Sequence, residues 1–550
     1  MSPLKNKGQR RDGFLLGAFL LSVTGLLTKI SGLAFRVILN RMISGSADIV
    51  AAAGNIEEVT LLTDAAMSNF TSAFNVYTFL LALSSQGLPV GISAMIAKSL
   101  ALGKYKDIRK LIRSVMLIFV TVGGALSILG VIFAGQIGRL MNSAETEYCM
   151  RYIMPSVFFI AVTSVFRGYF QGFNNMRPTS VSNVVEAVIK LVAGCGIAYI
   201  FQVKGLPSYQ VVAGGILGVT LGTAGACVYM LLKYMFRDRA YRITVKEFMR
   251  SRGTPINKLL KEFAVVTIPI ALSAVTIQMM GMIDSAVIVH TLKDIVGEVQ
   301  AKALYGAYGN KATAIFNLPS YFVITIGVSL VPQISAAFAE KNSLKIRRTM
   351  NDAFKYSSML AFACAFGLAA VSTPTINFLY SGDNHVAGNL LSVLALSLVA
   401  VGLANVTNNI LQAIGKSYLA IISVVVGTLV KSVLTWVLVS IPALNIYGAP
   451  IATNIAYPVM VIMNLYFIKK NFGYTLRYKT VFVKPLIAGL ACYVSAIGFT
   501  KLFNSFLPET VALFAVILCA GSVFIGVVFA LKLVTFNEVK RILKKNVKSP

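Results

Sequence analysis

Apolar stretches of 22 to 30 residues, separated by short polar segments, repeat along almost the whole chain. A helix needs about 20 apolar residues to cross a bilayer, and the runs recur too regularly for a single soluble core. They are continuous rather than alternating, so they predict helices and exclude a β-barrel. The pattern predicts fourteen helices, with 44–69 the least certain segment: 14–39, 70–98, 111–140, 149–173, 178–203, 209–235, 263–290, 312–339, 353–380, 388–414, 417–441, 447–468, 482–503 and 509–533.

Composition places the chain outside the range of soluble proteins. Hydrophobic residues make up 57% of the 550 positions and charged residues 13%, and the mean hydropathy is +0.76. These values indicate an all-α polytopic membrane protein. The first apolar stretch is too long and too charged for a cleavable signal peptide, so we expect it to remain as the first helix.

The formal net charge of +30 is concentrated in clusters. Arginines and lysines number four in residues 1–13, six in 98–113, nine in 233–261, five in 341–355, five in 469–484 and six in 532–548. All six clusters fall on one side of the fourteen-helix arrangement, so the positive-inside rule predicts cytoplasmic N- and C-termini. We interpret them as topology determinants beside anionic lipid rather than as a nucleic-acid surface.

The two halves of the chain resemble each other. Gln171 precedes Lys190 by nineteen residues, and Gln412 precedes Lys431 by the same distance. Landmarks in predicted helices two and eight match at a similar offset of about 240 residues: Phe74-Asn75 with Phe316-Asn317, Pro89 with Pro332, and Lys98 with Lys341. Internal repeats are typical of transporters. We predict an N-terminal lobe at 1–236, a basic cytoplasmic linker at 237–262, a C-terminal lobe at 263–470, and two further helices with a basic tail at 471–550.

Three cations, Lys29, Arg36 and Arg41, interrupt the first apolar stretch. At 100° per residue, Lys29 and Arg36 fall on one polar stripe with Ser22 and Asn40. Charges at membrane depth tend to face a cavity or a partner. Long side chains near helix ends can instead reach the interface, and we expect this strongly for Arg41 and less so for Arg36. Lys29 lies too near the middle of the predicted helix for its side chain to reach the interface.

Few other charges lie inside the predicted helices. Glu186 and Lys190 are one turn apart, which favours an i, i+4 pair, although a substrate or ion contact stays open. Asp284 could accept a proton or Na⁺, or pair with a cation. Near a helix end, Arg167 is expected at the interface, whereas Lys431 is central. Lys29, Lys190 and Lys431 outnumber the two central acids, so the interior favours an anionic substrate.

The sequence offers little for catalysis or for metal binding. Only two histidines are present and the six cysteines have no paired spacing, so no metal site is predicted. No phosphate-binding loop of the GxxxxGK[ST] kind occurs, so transport must be secondary, driven by the membrane potential or an ion gradient. No cofactor is predicted, and coupling to Na⁺ or H⁺ stays open.

The run Phe166-Arg167-Gly168-Tyr169-Phe170-Gln171-Gly172, followed by Met176, Pro178-Thr179, Ser182 and Glu186, resembles a signature of polysaccharide exporters. This signature belongs to the multidrug/oligosaccharidyl-lipid/polysaccharide (MOP) superfamily, in its stage V sporulation protein B and Gram-positive lipid II flippase branch. Further matching segments are Gln86-Gly87-Leu88-Pro89-Val90, Ile283-Asp284, Leu304-Tyr305-Gly306, Asn317-Leu318-Pro319 and Ser329-Leu330-Val331-Pro332.

The resemblance implies a V-shaped, two-lobed fold in the bacterial cytoplasmic membrane, a monomer, and a central cationic cavity open to alternate sides. It implies an undecaprenyl-pyrophosphate-linked glycan as substrate, above all lipid II, with Lys29 and Arg36 at the positions of cavity arginines and Lys190 and Lys431 on the opposite wall. Glu186, Asp284, Gln171 and Asn317 are candidates for a coupling or structural role. Expected partners are this lipid, the surrounding membrane lipids and the cell-wall synthesis machinery.

Several alternatives stay open. Within transport, the chain could export another polysaccharide lipid or could be a cation-coupled drug exporter; the positive interior argues against the latter. Two alternatives belong to other classes of protein: a membrane glycan polymerase or ligase, and a non-transporting scaffold for cell-wall assembly. We expect a transporter and not an enzyme. A vegetative role in cell shape and a role in sporulation would need the same chemistry.

Overall fold

The computed structural model describes residues 7–85, 87–236, 253–324, 334, 343–474, 476 and 478–534, with side chains of the first helix described from Val23 onward. The described residues are helical and contain no strand. By its contacts the chain forms two compact units, Met1–Gly306 and Ala307–Pro550.

The described part of the first unit contains twelve helices, which we number α1 to α12. Their bounds are α1 Lys7–Ser44, α2 Ala47–Ala52, α3 Ile56–Ser85, α4 Gly87–Ala101, α5 Tyr105–Ile132, α6 Ala134–Met141, α7 Thr146–Ile153, α8 Ser156–Gly172, α9 Arg177–Val203, α10 Ser208–Met235, α11 Ile256–Val296 and α12 Glu298–Gly306.

The second unit opens with a π-helical turn, Ala307–Ala312, and helical residues 313–324. Its further helices are α13 Ser343–Ala370, α14 Ser372–Leu379, α15 His385–Ala395, α16 Ser397–Ala413, α17 Ser417–Val439, α18 Gly448–Phe472, α19 Lys484–Phe503 and α20 Glu509–Ala530. A second π-helical turn, Lys479–Val483, precedes α19.

Twelve helices of the described chain are long and apolar enough to cross a membrane, or thirteen if the pair α15 and α16, bent by 41°, forms one span. The chain is therefore a multi-pass membrane protein. Each of the fourteen predicted helices has a helical counterpart. The eighth, predicted at 312–339, lies partly outside the described residues, so the count of fourteen stays a prediction.

The predicted bounds differ at several helices; the ninth, for example, is predicted from residue 353, but α13 begins at Ser343. The second is predicted to start at residue 70, but α3 begins at Ile56, and α3 and α4 belong to one candidate span, Ile56–Ala101. The uncertain segment 44–69 is thus the short helix α2 and the first turns of α3. The seventh is predicted at 263–290, whereas α11 is 41 residues long and runs through Pro269. Both helices extend into polar turns, at the start of α3 and at the two ends of α11, and the apolar pattern does not predict helix there.

The predicted lobe boundaries stay a prediction, although contacts group α11 and α12 with the first unit. Several other predictions fall outside the described residues: most of the basic linker, the landmarks Pro332 and Lys341, and Gln86 of the matching segment around Pro89. All six cysteines are free and buried or half-buried, as expected of small apolar side chains.

Close helix packing in the first unit positions its charged residues. Helix α9 packs along α10 and against α1. A Cβ atom added to Gly218 of α10 would lie only 2.1 Å from the Cα atom of Gly194 on α9, so the two backbones touch. Small residues permit such approach between membrane helices. The Phe35 ring of α1 fills the other side of Gly194, which fixes α1 against the same helix.

Candidate functional site

The signature run around Arg167 forms a helical hairpin, α8 and α9. Between the two helices Asn174 has a left-handed backbone (φ 59°), and the Asn175 amide donates to the Phe170 carbonyl at 3.0 Å. The Arg177 amide donates to the Asn175 side-chain oxygen, and Pro178 occupies the first turn of α9, where a missing N–H is harmless. The hairpin therefore sets the second half of α8 beside the first half of α9.

The two glycines of the signature bring α4 close to this hairpin. Cβ atoms at Gly168 and Gly172 would lie 2.7 Å and 2.6 Å from the Cβ atoms of Ile92 and Ile96 on α4. These glycines are four residues apart and so lie on one helix face. Side chains there would push α4 away, which is why only glycine fits this contact.

The Glu186 carboxylate is held by residues of other helices. Arg167 Nη2 lies 3.2 Å from Glu186 Oε2, and the Tyr77 hydroxyl of α3 donates to Glu186 Oε1 at 3.0 Å. Arg167 also donates to the Ser182 hydroxyl at 2.8 Å. Among the described residues, Glu186 forms its ion pair with Arg167. The predicted i, i+4 pair with Lys190 is wrong as a direct ion pair, because the hairpin supplies a nearer cation, although the charge of Glu186 still acts on Lys190.

The expectation that Arg167 lies at the membrane interface is also wrong. Its side chain is only 11% exposed, since the hairpin turns it inward toward Ser182 and Glu186. Sequence spacing on one helix could not reveal a partner supplied by the next. The acidic side chain of α9, Glu186, forms its ion pair with Arg167. In the described structure Lys190 therefore has no carboxylate within 4 Å.

Three cations of the predicted site come together on α1 and α9. The Lys190 ammonium lies 3.8 Å from the place where a Cβ on Gly32 would stand, which is between Lys29 and Arg36 along α1. Lys29 and Arg36 are about two helical turns apart, and electrostatic repulsion acts among all three charges. Lys29 is exposed, while Arg36 and Lys190 are half-buried. The Ser31 hydroxyl, which donates to the Ala187 carbonyl at 3.4 Å, joins the two helices here.

Arg36 lies against aromatic rings of α3. Its guanidinium carbon is 5.2 Å from the Phe70 ring centroid and 5.0 Å from the Phe74 ring centroid. The position of Arg36 relative to the membrane interface stays a prediction. Arg41, in contrast, is exposed near the end of α1, which is compatible with the interfacial position predicted for it.

The remaining predicted residues occupy separate places. Gln171 donates to the Thr179 hydroxyl at 3.4 Å and so bridges the ends of the hairpin. Asp284 is 5% exposed on α11 in the first unit. In the second unit, Lys431 is 6% exposed on α17, and Asn317 is exposed. The binding and coupling roles assigned to these residues stay predictions.

Sequence reasoning missed two buried lysines and one tyrosine. Lys302 bridges Glu298 at 2.7 Å and Glu145 at 3.6 Å, and Lys311 donates to the Asn384 side chain at 2.9 Å. Both lie in the polar stretch between predicted helices seven and eight, a pattern that predicts a connecting loop. Tyr77 gives no signal in the sequence, because an apolar helix commonly contains tyrosine.

The arrangement suits binding of an anion and offers no visible catalytic or metal chemistry. In the described part of the chain, no three histidine, cysteine or acidic side chains are grouped to hold a metal ion. The Lys190 ammonium lies against Gly32, between Lys29 and Arg36 along α1, and the Glu186 carboxylate has Arg167 and Tyr77 as partners. Such a site can bind a multiply charged anion through charge-assisted hydrogen bonds.

The fold of this multi-pass helical chain is similar to that of solved membrane transporters. The solved structure "Lipid II flippase MurJ, inward closed conformation" superimposes with a TM-score of 0.66 at 17% identity, over 92% of this chain and 98% of that one. An inward-facing multidrug resistance MATE transporter of the MOP superfamily gives 0.63 at 16% identity, over 81% and 94%.

The sequence profile of the family described as "Lipid II flippase MurJ" matches residues 59–519, and the chain belongs to this family. It is also 25% identical over 541 residues to "Stage V sporulation protein B" of Bacillus subtilis (strain 168), across 97% of this chain and 98% of that protein. The family and the fold are those of flippases and transporters, not enzymes, as predicted.

Proposed function

We propose that this protein is a flippase that moves an undecaprenyl-pyrophosphate-linked glycan, above all lipid II, from the inner to the outer leaflet of the bacterial cytoplasmic membrane. The observation that carries the proposal is the group of Lys29, Arg36 and Lys190 around Gly32. We call these three residues the cation cluster. Membership of the MurJ family supports the choice of a lipid-linked substrate.

The cation cluster matches the chemistry of a diphosphate. A diphosphate has several acceptor oxygens and more than one negative charge, so it can accept hydrogen bonds from three cationic side chains at once. Two of the three are lysines, which act as compact charges, whereas the Arg36 guanidinium can form a two-pronged contact. Glu186 forms its direct ion pair with Arg167, so the three cations near Gly32 face one acid that already has a cationic partner.

The direction of transport follows from charge. A membrane potential that is negative inside drives an anionic headgroup outward, at roughly 2.3 kcal/mol per charge per 100 mV. An ion gradient could add to this through the buried Asp284. If Asp284 is a coupling site, Asp284→Asn slows transport only when a proton or Na⁺ gradient is applied; an equal rate with and without the gradient in the wild-type protein removes this role.

Complementation tests the proposed function in cells. A bacterial strain depleted of its lipid II flippase should grow when it expresses the wild-type chain or Lys29→Arg, and should fail with Lys29→Ala combined with Arg36→Ala. Lys204→Ala, which removes an exposed cation at the end of α9, is the matched control and should grow. Normal growth with both cluster residues replaced, at equal protein levels, would refute the proposed site.

A further inference from the structure

An apolar groove lies on the second unit, between α16, α18 and the chain that leads into α19. Its volume is about 720 Å³, which falls within the range of pockets that hold a small ligand, roughly 300–1,000 Å³. Its walls are mostly apolar: Leu403 belongs to α16, Val461 and Leu465 belong to α18, and Phe482 belongs to the π-helical turn before α19. An apolar ligand that covers these walls is favoured by the hydrophobic effect.

The wall formed by the chain after α18 is held in place by contacts with α13. Gly473 has a left-handed backbone (φ 58°), which ends α18 and lets the chain turn. The Gly473 carbonyl accepts a hydrogen bond from Arg347 at 3.2 Å, and the Tyr474 hydroxyl donates to the Asn351 side chain at 2.7 Å. The Tyr474 ring, which lines the groove, also stacks on the Phe354 ring at 6.0 Å. This wall is therefore formed before a ligand binds.

The groove is cationic at one end. Among the described residues that line it, the charged side chain is Lys469, which is exposed in the last turn of α18. Tyr466, nearly one turn earlier, is 59% exposed. At the other end Asn454 donates its side-chain amide to the Val393 carbonyl at 2.8 Å, so this amide is already bonded. Exposed tyrosine and lysine side by side are typical of the membrane–water interface.

We propose that this groove binds one anionic phospholipid, with an acyl chain along α16 and α18 and the phosphate beside the Lys469 ammonium. Lys469 and Asn454 are separated by about 22 Å of helix, more than the roughly 15 Å depth of hydrocarbon in one leaflet. The groove can therefore hold an acyl chain over its full length. The leaflet is the one beside the basic cluster 469–484, which attracts anionic headgroups.

A lipid fits these walls better than a protein segment does. An extended peptide needs partners for its backbone N–H and C=O groups, and mostly apolar walls supply few of them. An acyl chain has no such groups, and its one charged end meets the one charged end of the groove. This site lies within the second unit and does not depend on the proposed function.

Photolabelling of the purified full-length chain in detergent tests the site. The probe is phosphatidylglycerol with a diazirine at the end of one acyl chain, compared with phosphatidylcholine that has the same chains and diazirine. Labelled peptides are mapped by mass spectrometry. We expect phosphatidylglycerol to label α16 and α18 about fivefold more than phosphatidylcholine does, as one lysine beside a phosphate predicts.

Two neighbouring lysines separate the groove from general attraction to a basic surface. Lys469→Gln should lower the labelling by phosphatidylglycerol to the level of phosphatidylcholine. Lys470→Gln is the matched control, because Lys470 is the next residue, is also exposed, and does not line the groove. It should keep most of the preference. Equal losses in the two variants would refute the site, since any surface cation would then serve.

Filling the groove tests the position of the acyl chain. Ala400→Phe places a ring in the groove and should reduce labelling of α16 and α18 at least about fivefold, at an unchanged thermal midpoint. Ala491→Phe on α19 is the control, because Ala491 is likewise half-buried in the second unit but does not line the groove. Should Ala400→Phe fold poorly, Ile462→Trp fills the groove from an exposed position.

Two further outcomes would overturn the proposal. One is labelling by phosphatidylglycerol that persists in folded Ala400→Phe and Ile462→Trp variants, since the acyl chain would then lie elsewhere. The other is loss of the label when a short-chain isoprenyl diphosphate is added, while unlabelled phosphatidylglycerol at the same concentration has no effect. The groove would then belong to an isoprenoid chain and not to a phospholipid.

Discussion

Arg167 Nη2 lies 3.2 Å from Glu186 Oε2, so the acid of α9 is paired with the neighbouring helix of its hairpin and not with Lys190 one turn away. Both side chains are mostly buried, and Ser182 and Tyr77 satisfy further oxygens and N–H groups of the pair. The pairing links the signature motif to the charge of the cation cluster. The hairpin therefore gives Glu186 its direct cationic partner.

Breaking this pair from one side should destabilise the protein. Arg167→Met leaves a buried carboxylate without its cation, and we expect a loss of roughly 3 kcal/mol in unfolding free energy. Arg167→Met combined with Glu186→Gln should recover much of that loss, because no charge is then stranded. Thermal unfolding of the purified variants in detergent measures both effects. An Arg167→Met variant as stable as the wild type would contradict the buried pair.

The contact between Gly194 and Gly218 should tolerate no side chain. Gly218→Ala would place a Cβ 2.1 Å from the Gly194 Cα, so α9 and α10 must separate, at a cost of about 1–3 kcal/mol. Gly196→Ala on α9 is the control, since a Cβ there meets nothing within 4 Å and alanine favours a helix. The two thermal midpoints should move in opposite directions or differ by several degrees. Equal midpoints would show that the helices are not in backbone contact.

The contact between Glu298 and Lys302, outside the candidate membrane spans, predicts a pH dependence. The hydrogen bond and the positive charge of Lys302 hold the pKa of Glu298 below its ordinary value. A lowered pKa in the folded state stabilises the protein above the pKa of the unfolded chain, near 4.3. That stabilisation is lost as the pH falls through the lower folded pKa.

Glu298→Gln measures this contribution. The difference in thermal midpoint between the wild type and Glu298→Gln should be constant between pH 6 and 8 and should shrink below about pH 4.5. Glu509→Gln is a control: Glu509 likewise begins a helix, α20, but lies in the second unit. A difference that stays unchanged down to pH 3, or that grows on acidification, would contradict the assigned contact.

Sequence patterns predicted the fold well and the site only in part. Apolar periodicity locates helices because the bilayer requires every backbone group to bond within its own segment. Lys29, Arg36 and Lys190 could be found because each is a charge in an otherwise apolar run. The residues that contact these charges could not be predicted, since Tyr77, Phe70 and Phe74 are common residue types in an apolar helix. They contact the charged side chains only because α1, α3 and α9 pack together. Lys302 and Lys311 were missed because their surroundings are polar.

The most direct test of the central claim is lipid II movement in vesicles containing only the purified full-length chain. Labelled lipid II is placed in the inner leaflet, and its arrival in the outer leaflet is followed with an impermeant quencher, under an inside-negative potential. The account predicts that the wild type and Lys204→Ala transfer label at similar rates, while Lys29→Ala, Arg36→Ala and Lys190→Ala combined is at least about tenfold slower. Transfer by a folded triple variant at the wild-type rate would contradict it.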